Sequence, residues 1–391
     1  MFDICVVGGG MVGSALAIGL GKLGLNVALI EPHMPKAFNE SQLPDMRVSA
    51  ISLTSGKLIT ELGAWDNIEA MRLCPYARLS VWDDPRCRTD FESTSLGQPY
   101  LGHIIENRIV QLGLQQTLSD YSNIHVFANE DATTVQLGSK SKITLSCGKT
   151  IEAKLIVGAD GAQSKVREAA NIGVQGWQYT QQALGIKIKT NGPQQDITWQ
   201  QFTPDGPMAY LPLFDGYGSL VWYQSVEQIT LLKGLSKTKL KQQIQQHFPS
   251  DLVDFEVLDV ASFGLTRMHA NQYFKGNTVL VGDAAHTINP LAGQGVNLGF
   301  KDVSVLLDII EKQQAEAASD VWLLSPESWL KEYEKCRRKD NLVMMSAMDV
   351  LYAAFSNSYM PFKVLRNLGL KLANASGPLK NQAMKYAMGL R

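Results

Sequence analysis

The chain has 391 residues, 45% hydrophobic, 19% charged and 8% aromatic, which excludes a disordered, collagenous or disulfide-scaffold protein and fits a globular chain of about two or three domains. Lysine and arginine number 36 against 37 aspartates and glutamates; the formal charge of -1 lacks the positive field of a nucleic-acid binder, and no nucleic-acid partner is expected. Five scattered cysteines (Cys5, Cys74, Cys87, Cys147 and Cys336) show no CxxC spacing, so neither a disulfide framework nor a metal site is expected and a reducing cytoplasm suits them.

The opening MFDICVVGGG has no basic segment or cleavage site before its first apolar run, so no secretory leader is expected. No apolar run reaches the ~20 residues of a membrane-spanning helix. The first elements read as one β-α-β unit: a strand at Ile4 to Val7, a glycine turn, a helix from Val12 to Leu23, and a strand at Val27 to Ile30. The turn, Gly8-Gly9-Gly10-Met11-Val12-Gly13, has the G-x-G-x-x-G spacing that lets backbone approach a pyrophosphate at a helix amino end. Glu31 ends the second strand eighteen residues after Gly13, where a carboxylate accepts hydrogen bonds from ribose hydroxyls and repels a ribose phosphate. Dinucleotide binding through Gly8, Gly10, Met11, Val12, Gly13 and Glu31 is therefore expected, with NAD and FAD undistinguished at this point.

A second apolar strand, Leu155 to Val157, runs into Gly158-Ala159-Asp160-Gly161. From about Gly176 to Phe274 the texture changes: ITWQQF, MAYLPLF and SLVWYQ are aromatic-rich runs separated by PDG and DGYG, the pattern of antiparallel strands joined by hairpins. A third apolar strand, Thr278 to Val281, delivers Gly282-Asp283-Ala284-Ala285-His286, and the turn Pro290 to Gly295 leads into a helix over Val296 to Lys312. The three apolar strands are expected to share one sheet, with ligand groups at their carboxyl ends. A further helix is expected over Pro326 to Tyr352, followed by a tail without Asp or Glu that carries Lys363, Arg366, Lys371, Lys380, Lys385 and Arg391.

The amino-terminal fingerprint, GADGAQSKVR and GDAAH through PLAGQGVN, in that order, resemble the three diagnostic motifs of the flavoprotein aromatic hydroxylases. The resemblance spans nearly the whole chain. It implies an α/β (overall α+β) fold like that of para-hydroxybenzoate hydroxylase: a Rossmann-type FAD-binding domain interrupted by an antiparallel-sheet substrate domain, with a helical carboxyl end. The implied division is 1–75, 100–175 and 275–340 for FAD, 76–99 and 176–274 for substrate, and 341–391 as the carboxyl-terminal helical segment. It also implies that Asp160 and Gly161 contact FAD and NAD(P)H. Gly282 and Asp283 would meet the flavin's ribityl chain, while Pro290, Gly293, Gln294, Gly295, Val296 and Asn297 position the ring. Free N–H groups at that helix start would stabilise charge on a reduced flavin. Arg47, in DMRVSAIS, matches an arginine near flavin and substrate, with a surface ion pair as the alternative; Arg108 and Gln111, in ENRIVQ, open a helix brought to the cofactor. No catalytic side chain is required, because the flavin carries the chemistry; His286 reads as structural.

Within that family the chain is most similar to the ubiquinone-biosynthesis hydroxylases, through RVSAIS, WQQFTPDGPMAYLPLF and GDAAHTINPLAGQGVNLGFKD. MRLCPYARLSVWDD, GWQYTQQ, PLFDGYGSLVWYQS and LKNQAMKYAMGLR place it nearest the branch that adds the last ring hydroxyl before the final methylation. The resemblance implies NAD(P)H as electron donor, dioxygen as co-substrate and a polyprenyl methoxy-methyl-benzoquinol as substrate. Trp199, Phe202, Tyr210, Phe214 and Trp222 are candidates for an apolar pocket roofed by the sheet, core packing being the alternative. Other ubiquinone-biosynthesis proteins are possible partners. The basic tail suits peripheral contact with the inner membrane by a cytoplasmic protein, or equally a solvated helix pair. The rival readings are another polyprenylphenol or small-phenol hydroxylase, a flavin reductase or oxidase, and a flavin-binding assembly factor.

Overall fold

In the computed structural model, which describes residues 1–138, 140–288, 295–317, 320–356 and 382, the first apolar run lies in the middle of a sheet. Strand β1 (Phe2–Val7) pairs in parallel with β2 (Val27–Glu31) and β11 (Thr150–Gly158); β8 (Ile124–Ala128) extends the sheet beyond β2 and β18 (Thr278–Leu280) beyond β11, also in parallel. The three apolar strands read from the sequence thus share one sheet. Their central segments are apolar because both faces are covered there, and Ile4, Cys5, Val6, Leu29, Leu155, Ile156 and Val279 are all buried. The hairpin β9 (Ala132–Gln136) and β10 (Ser141–Leu145) joins β11, and β17 (Phe274–Lys275) edges β18.

Helix α1 (Met11–Lys22) packs between α4 (Asn107–Leu118) and α8 (Gly295–Glu316). A Cβ at Gly19 would lie 2.2 Å from Leu307, so α1 and α8 touch almost backbone to side chain. Helix α9 (Glu327–Ser356) lies along α8 and β17, while α5 (Lys165–Ala169) follows β11.

The second sheet has the order β19 (His286–Thr287), β16 (Phe255–Ala270), β12 (Val174–Thr190), β15 (Tyr217–Ser225), β14 (Met208–Pro212), β13 (Ile197–Gln201), β5 (Arg78–Trp82) and β6 (Thr89–Glu92). A small third sheet, β3 (Val48–Ser52), β7 (Gly102–Glu106) and β4 (Cys74–Tyr76), lies between the other two, and α2 (Leu53–Glu61) and α3 (Trp65–Glu69) follow β3. Strict alternation separates the faces of the second sheet. Leu184, Ile186, Trp199, Tyr210, Leu220 and Trp222 pack beneath α6 (Val226–Lys233) and α7 (Lys237–His247); Leu211 and Val221 face the third sheet with Ala50, Tyr76 and Ile104. The length of β12 was not legible, because its first five residues are exposed and carry no apolar alternation.

Cys147 and Cys336 are exposed, whereas Cys5 and Cys74 are buried. Burial pushes the Cys5 thiol far above its usual range and, with Asp196 nearby, Cys74 to about 12. Iodoacetamide at mildly alkaline pH is expected to alkylate Cys147 and Cys336 in the native protein. Cys5 and Cys74 should react only after unfolding, which peptide mass mapping would show. No helix among the described residues is long and apolar enough to cross a membrane.

Candidate functional site

The glycine turn between β1 and α1 is dictated by sterics. Gly8 has φ +103°, and a Cβ there would lie 2.3 Å from the Ala159 carbonyl oxygen, so the turn presses against the end of β11. A Cβ at Gly13 would lie 1.8 Å from the Gly8 oxygen. At Gly10 the situation reverses: a Cβ would meet nothing within 4 Å. Gly10 is also the N-cap of α1, with no side-chain cap and no acid in the first turn. The free N–H groups of the Met11–Val12–Gly13 turn therefore form a cradle for an anion. Glu31 stands beside it, near enough that a Cβ on Gly9 would come within 2.8 Å of its own Cβ, and accepts the His33 N–H at 2.7 Å.

Helix α4 closes one side. Gln111 and Gln115 each donate to the Gly9 carbonyl at 3.0 Å. Arg108 donates through Nε to Asp45 at 2.7 Å and through Nη1 to the Lys36 carbonyl at 2.8 Å, but its buried Nη2 has no protein partner. In the turn after β11, Asp160 accepts the Val166 N–H at 3.2 Å through Oδ2, while the buried Oδ1 is unpartnered. Burial raises the Asp160 carboxyl above its usual range, against the pull of its hydrogen bonds. One guanidinium nitrogen and one carboxylate oxygen without protein partners, beside an uncapped helix, fit a ligand carrying both phosphates and hydroxyls. FAD has that chemistry, and these residues fit it.

Gly282 (φ +59°) starts the turn after β18, with Val12 of α1 as its neighbour. Solvent reaches the Asp283 carboxylate, yet protein surrounds it closely enough that burial raises its pKa, with His286 and Arg47 pulling the other way. Arg167, not anticipated as a site residue, clamps this turn to the second motif by donating to the carbonyls of Ala284 at 2.9 Å and Ala162 at 2.8 Å. His286 is buried and bonded to Asp302 at 2.5 Å, the structural role expected of it. Pro290, Gly293 and Gln294 lie outside the described residues. Gly295 and Val296 begin α8. The Asn297 side chain is tied to β3 and the start of α2, accepting from Ser52 N and Ser55 Oγ and donating to the Ala50 carbonyl, so it braces the amino end of α8 against them.

Burial alone would raise the Asp302 carboxyl, but His286 and Arg337 outweigh it and hold it at about 2. A folded-state pKa below the unfolded value of about 4 stabilises the fold above that pH and is lost as the pH falls toward 2. Acid melting curves should show it: Asp302→Asn is expected to melt lower than wild type at neutral pH, with the gap narrowing between about pH 4 and 2.

Arg47 is exposed; its guanidinium lies over the Phe263 ring of β16 at 5.8 Å, and its charge acts on Asp283. Among the described residues no carboxylate pairs with it at ion-pair distance, unlike the surface pair held as the alternative. A Cβ at Gly185 would lie 2.9 Å from Phe263 and 3.6 Å from Met46, so this part of the sheet meets the loop carrying Arg47. The pocket candidates are mostly elsewhere. Trp199, Tyr210 and Trp222 lie in the core under α6 and α7, the face away from Arg47, because alternation assigns Ala183, Gly185 and Phe263 to the other side. Phe202 stacks on Phe355 of α9 at 4.1 Å, and Phe214 covers Arg72 at 4.2 Å. A cleft of about 660 Å³ does open beside Trp222, but Gln181, Asp205, Gln224, Glu227, Gln243 and His247 make it polar and it contains none of the fingerprint residues. Among the described residues no group of three or more metal-ligating side chains occurs.

Comparison with known proteins places this geometry. The model of the FAD binding domain family matches residues 1–338. The chain is 44% identical to 3-demethoxyubiquinol 3-hydroxylase of Escherichia coli K12 over 99% of its length and 98% of that protein. It is 32% identical to the human mitochondrial ubiquinone biosynthesis monooxygenase COQ6, over 99% of this chain and 92% of that one. Among solved structures it is similar to p-nitrophenol 4-monooxygenase PnpA from Pseudomonas putida DLL-E4, with TM-score 0.79, 17% identity, and coverage of 99% and 98%. At that identity the last likeness concerns the fold.

Proposed function

The chain belongs to the FAD binding domain family, and on that premise we propose that it is an FAD-dependent monooxygenase of ubiquinone biosynthesis. It hydroxylates the ring of a polyprenyl methoxy-methyl-benzoquinol, consuming NAD(P)H and dioxygen and releasing NAD(P)+ and water. The observation that carries this reading is the end-to-end similarity to the Escherichia coli hydroxylase. The convergence of the α1 cradle, Asp283 and Arg47 beside the sheet supports it. When bound, FAD supplies the redox chemistry, accepting electrons from the nicotinamide and activating dioxygen.

The protein's own residues bind and orient. The amino end of α1 and Arg108 would hold the pyrophosphate of bound FAD, Glu31 would accept from a ribose hydroxyl, and Asp283 would accept from a polyol hydroxyl. Arg47 sets a positive charge near Asp283, while the half-buried Phe263 ring beside it offers an apolar face to a quinol ring. A ring already bearing oxygen donors is reactive enough that orientation and exclusion of water outweigh a general base. The basic tail, the candidate for peripheral membrane contact, lies outside the described residues.

Mass spectrometry of quinones from cells lacking this gene tests the reading. Accumulated demethoxyubiquinone, converted to ubiquinone on restoring the gene, is expected. An accumulated earlier polyprenylphenol would move the enzyme to another step, and an unchanged quinone pool would overturn the substrate class. Replacing Asp283 with alanine should weaken FAD retention about tenfold or more, through loss of a charged acceptor. Flavin content after gel filtration measures this, and full retention would remove Asp283 from the binding site.

A further inference from the structure

The buried charge behind the Gly282–Asp283 turn extends well beyond it. Asp302 of α8 is fully buried and both of its oxygens are saturated. Oδ2 accepts the Gly282 N–H at 2.9 Å and His286 Nε2 at 2.5 Å; Oδ1 accepts Arg337 Nε at 2.7 Å and Asn341 Nδ2 at 3.2 Å. Because a carboxylate only accepts, His286 presents Nε2–H to it. Arg337, itself 2% exposed, donates also to Asn341 Oδ1 at 2.7 Å, and Asn341 donates to the Tyr273 hydroxyl at 3.0 Å.

Arg337 and Asn341 belong to α9, and the far half of that helix is fastened to the substrate-side sheet. Asp349 accepts Arg267 Nε at 2.6 Å and the Tyr179 hydroxyl at 3.0 Å, Tyr352 donates to Gln181 at 2.6 Å, and Phe355 stacks on Phe202. On the other side, the Gly282 turn touches Val12 in the first turn of α1, and a Cβ on Gly299 of α8 would lie 2.6 Å from Val12. One carboxylate therefore links the cofactor turn, the amino end of α8 and the helix that holds the sheet.

We propose that Asp302 and Arg337 are positioning residues for the flavin: through Gly282 and His286 they set the turn that presents Asp283, and through α9 they tie its place to that of the sheet. The inference rests on the FAD reading of the site. A packing role alone would be met equally well by apolar side chains, since replacing a buried ion pair with hydrophobic residues is often neutral for stability. The carboxylate is instead spent on a backbone N–H of the turn itself.

The test compares FAD affinity with stability. The paired variant Asp302→Ala/Arg337→Met removes the acceptor without stranding a buried guanidinium. Apoprotein titrated with FAD, followed by flavin fluorescence, should show Kd raised about tenfold or more. Asp302→Asn/Arg337→Met restores an oxygen for Gly282 and His286 and an amide that Asn341 Oδ1 can accept, and should recover most of the affinity. Leu240→Ala, in α7 on the far side of the sheet, controls for lost stability and should leave Kd unchanged. Wild-type Kd in the alanine pair would overturn the proposal, leaving the network as core. If that pair does not fold, Arg337→Lys, which keeps the charge and gives up the multiple donors, decides by the same readout. Failure of the wild-type apoprotein to bind FAD would overturn instead the cofactor reading on which the inference rests.

Discussion

Replacing Gly13 with alanine is expected to produce a protein both destabilised and free of flavin, whereas Gly10→Ala should keep its stability and lose only the flavin. The difference follows from where each new methyl would go. At Gly13 it would sit 1.8 Å from the Gly8 carbonyl oxygen, and the obstacle is backbone at the tightest point of the turn. The β1 to α1 connection must shift, at a cost of about 1–3 kcal/mol or more. At Gly10 the methyl meets no protein atom within 4 Å, and the residue's φ of -67° and ψ of -170° suit alanine. Gly10→Ala should therefore stay within about 1 kcal/mol of wild type, the usual loss at an N-cap position. The space it would fill is the approach to the free N–H groups of α1. Urea unfolding of the apoproteins, set beside FAD titration, separates the two effects. Normal FAD affinity in Gly10→Ala would mean that the pyrophosphate does not lie at this turn.

What was legible in the sequence is what short-range physics dictates. The fingerprint and its flanking strand, helix and terminal acid lie within 31 residues, and the placement of β1, β11 and β18 in one sheet follows from the short apolar runs Ile4 to Val7, Leu155 to Val157 and Val279 to Val281. The aromatic strands were legible as strands, but which way they faced was not. Trp199, Tyr210 and Trp222 alternate with residues such as Thr198, Leu211 and Val221, and both faces of that sheet are covered, so hydrophobicity does not say which one meets the third sheet. The longer-range meetings of side chains were not legible for a different reason. Asn297 was read as a cofactor contact from its motif, and only the fold shows its side chain also bonded to residues about 245 positions earlier. Asp302 with Arg337, and Arg167 with Ala284, are likewise meetings made by the chain's path, for which no local spacing rule exists.

The second large effect is expected at such a meeting, between Arg72 and Glu106. Their side chains are 6% and 2% exposed and bind two-pronged, Nε to Oε2 at 2.7 Å and Nη2 to Oε1 at 2.6 Å. Arg72 Nη1 also donates to the Gln42 carbonyl at 2.9 Å, its guanidinium lies over the rings of Phe214 at 4.2 Å and Phe38 at 5.3 Å, and Glu106 accepts the Asp45 N–H at 2.7 Å. The pair thus fastens the segment leading to Arg47 onto β7, at the start of the helix that carries Arg108 and Gln111. Glu106→Ala should lose about 3–5 kcal/mol, because it strands a buried guanidinium. Arg72→Met/Glu106→Leu should lose much less than the two single changes together, and a double-mutant cycle by urea unfolding reads the coupling. If the pair served stability alone, the apolar double variant would recover both fold and FAD affinity. The geometry predicts a split result: the introduced methionine and leucine side chains repack the core, but neither can hold the Gln42 carbonyl or the Asp45 N–H. Stability should return while FAD binding stays weakened, since Asp45 is the partner that orients Arg108.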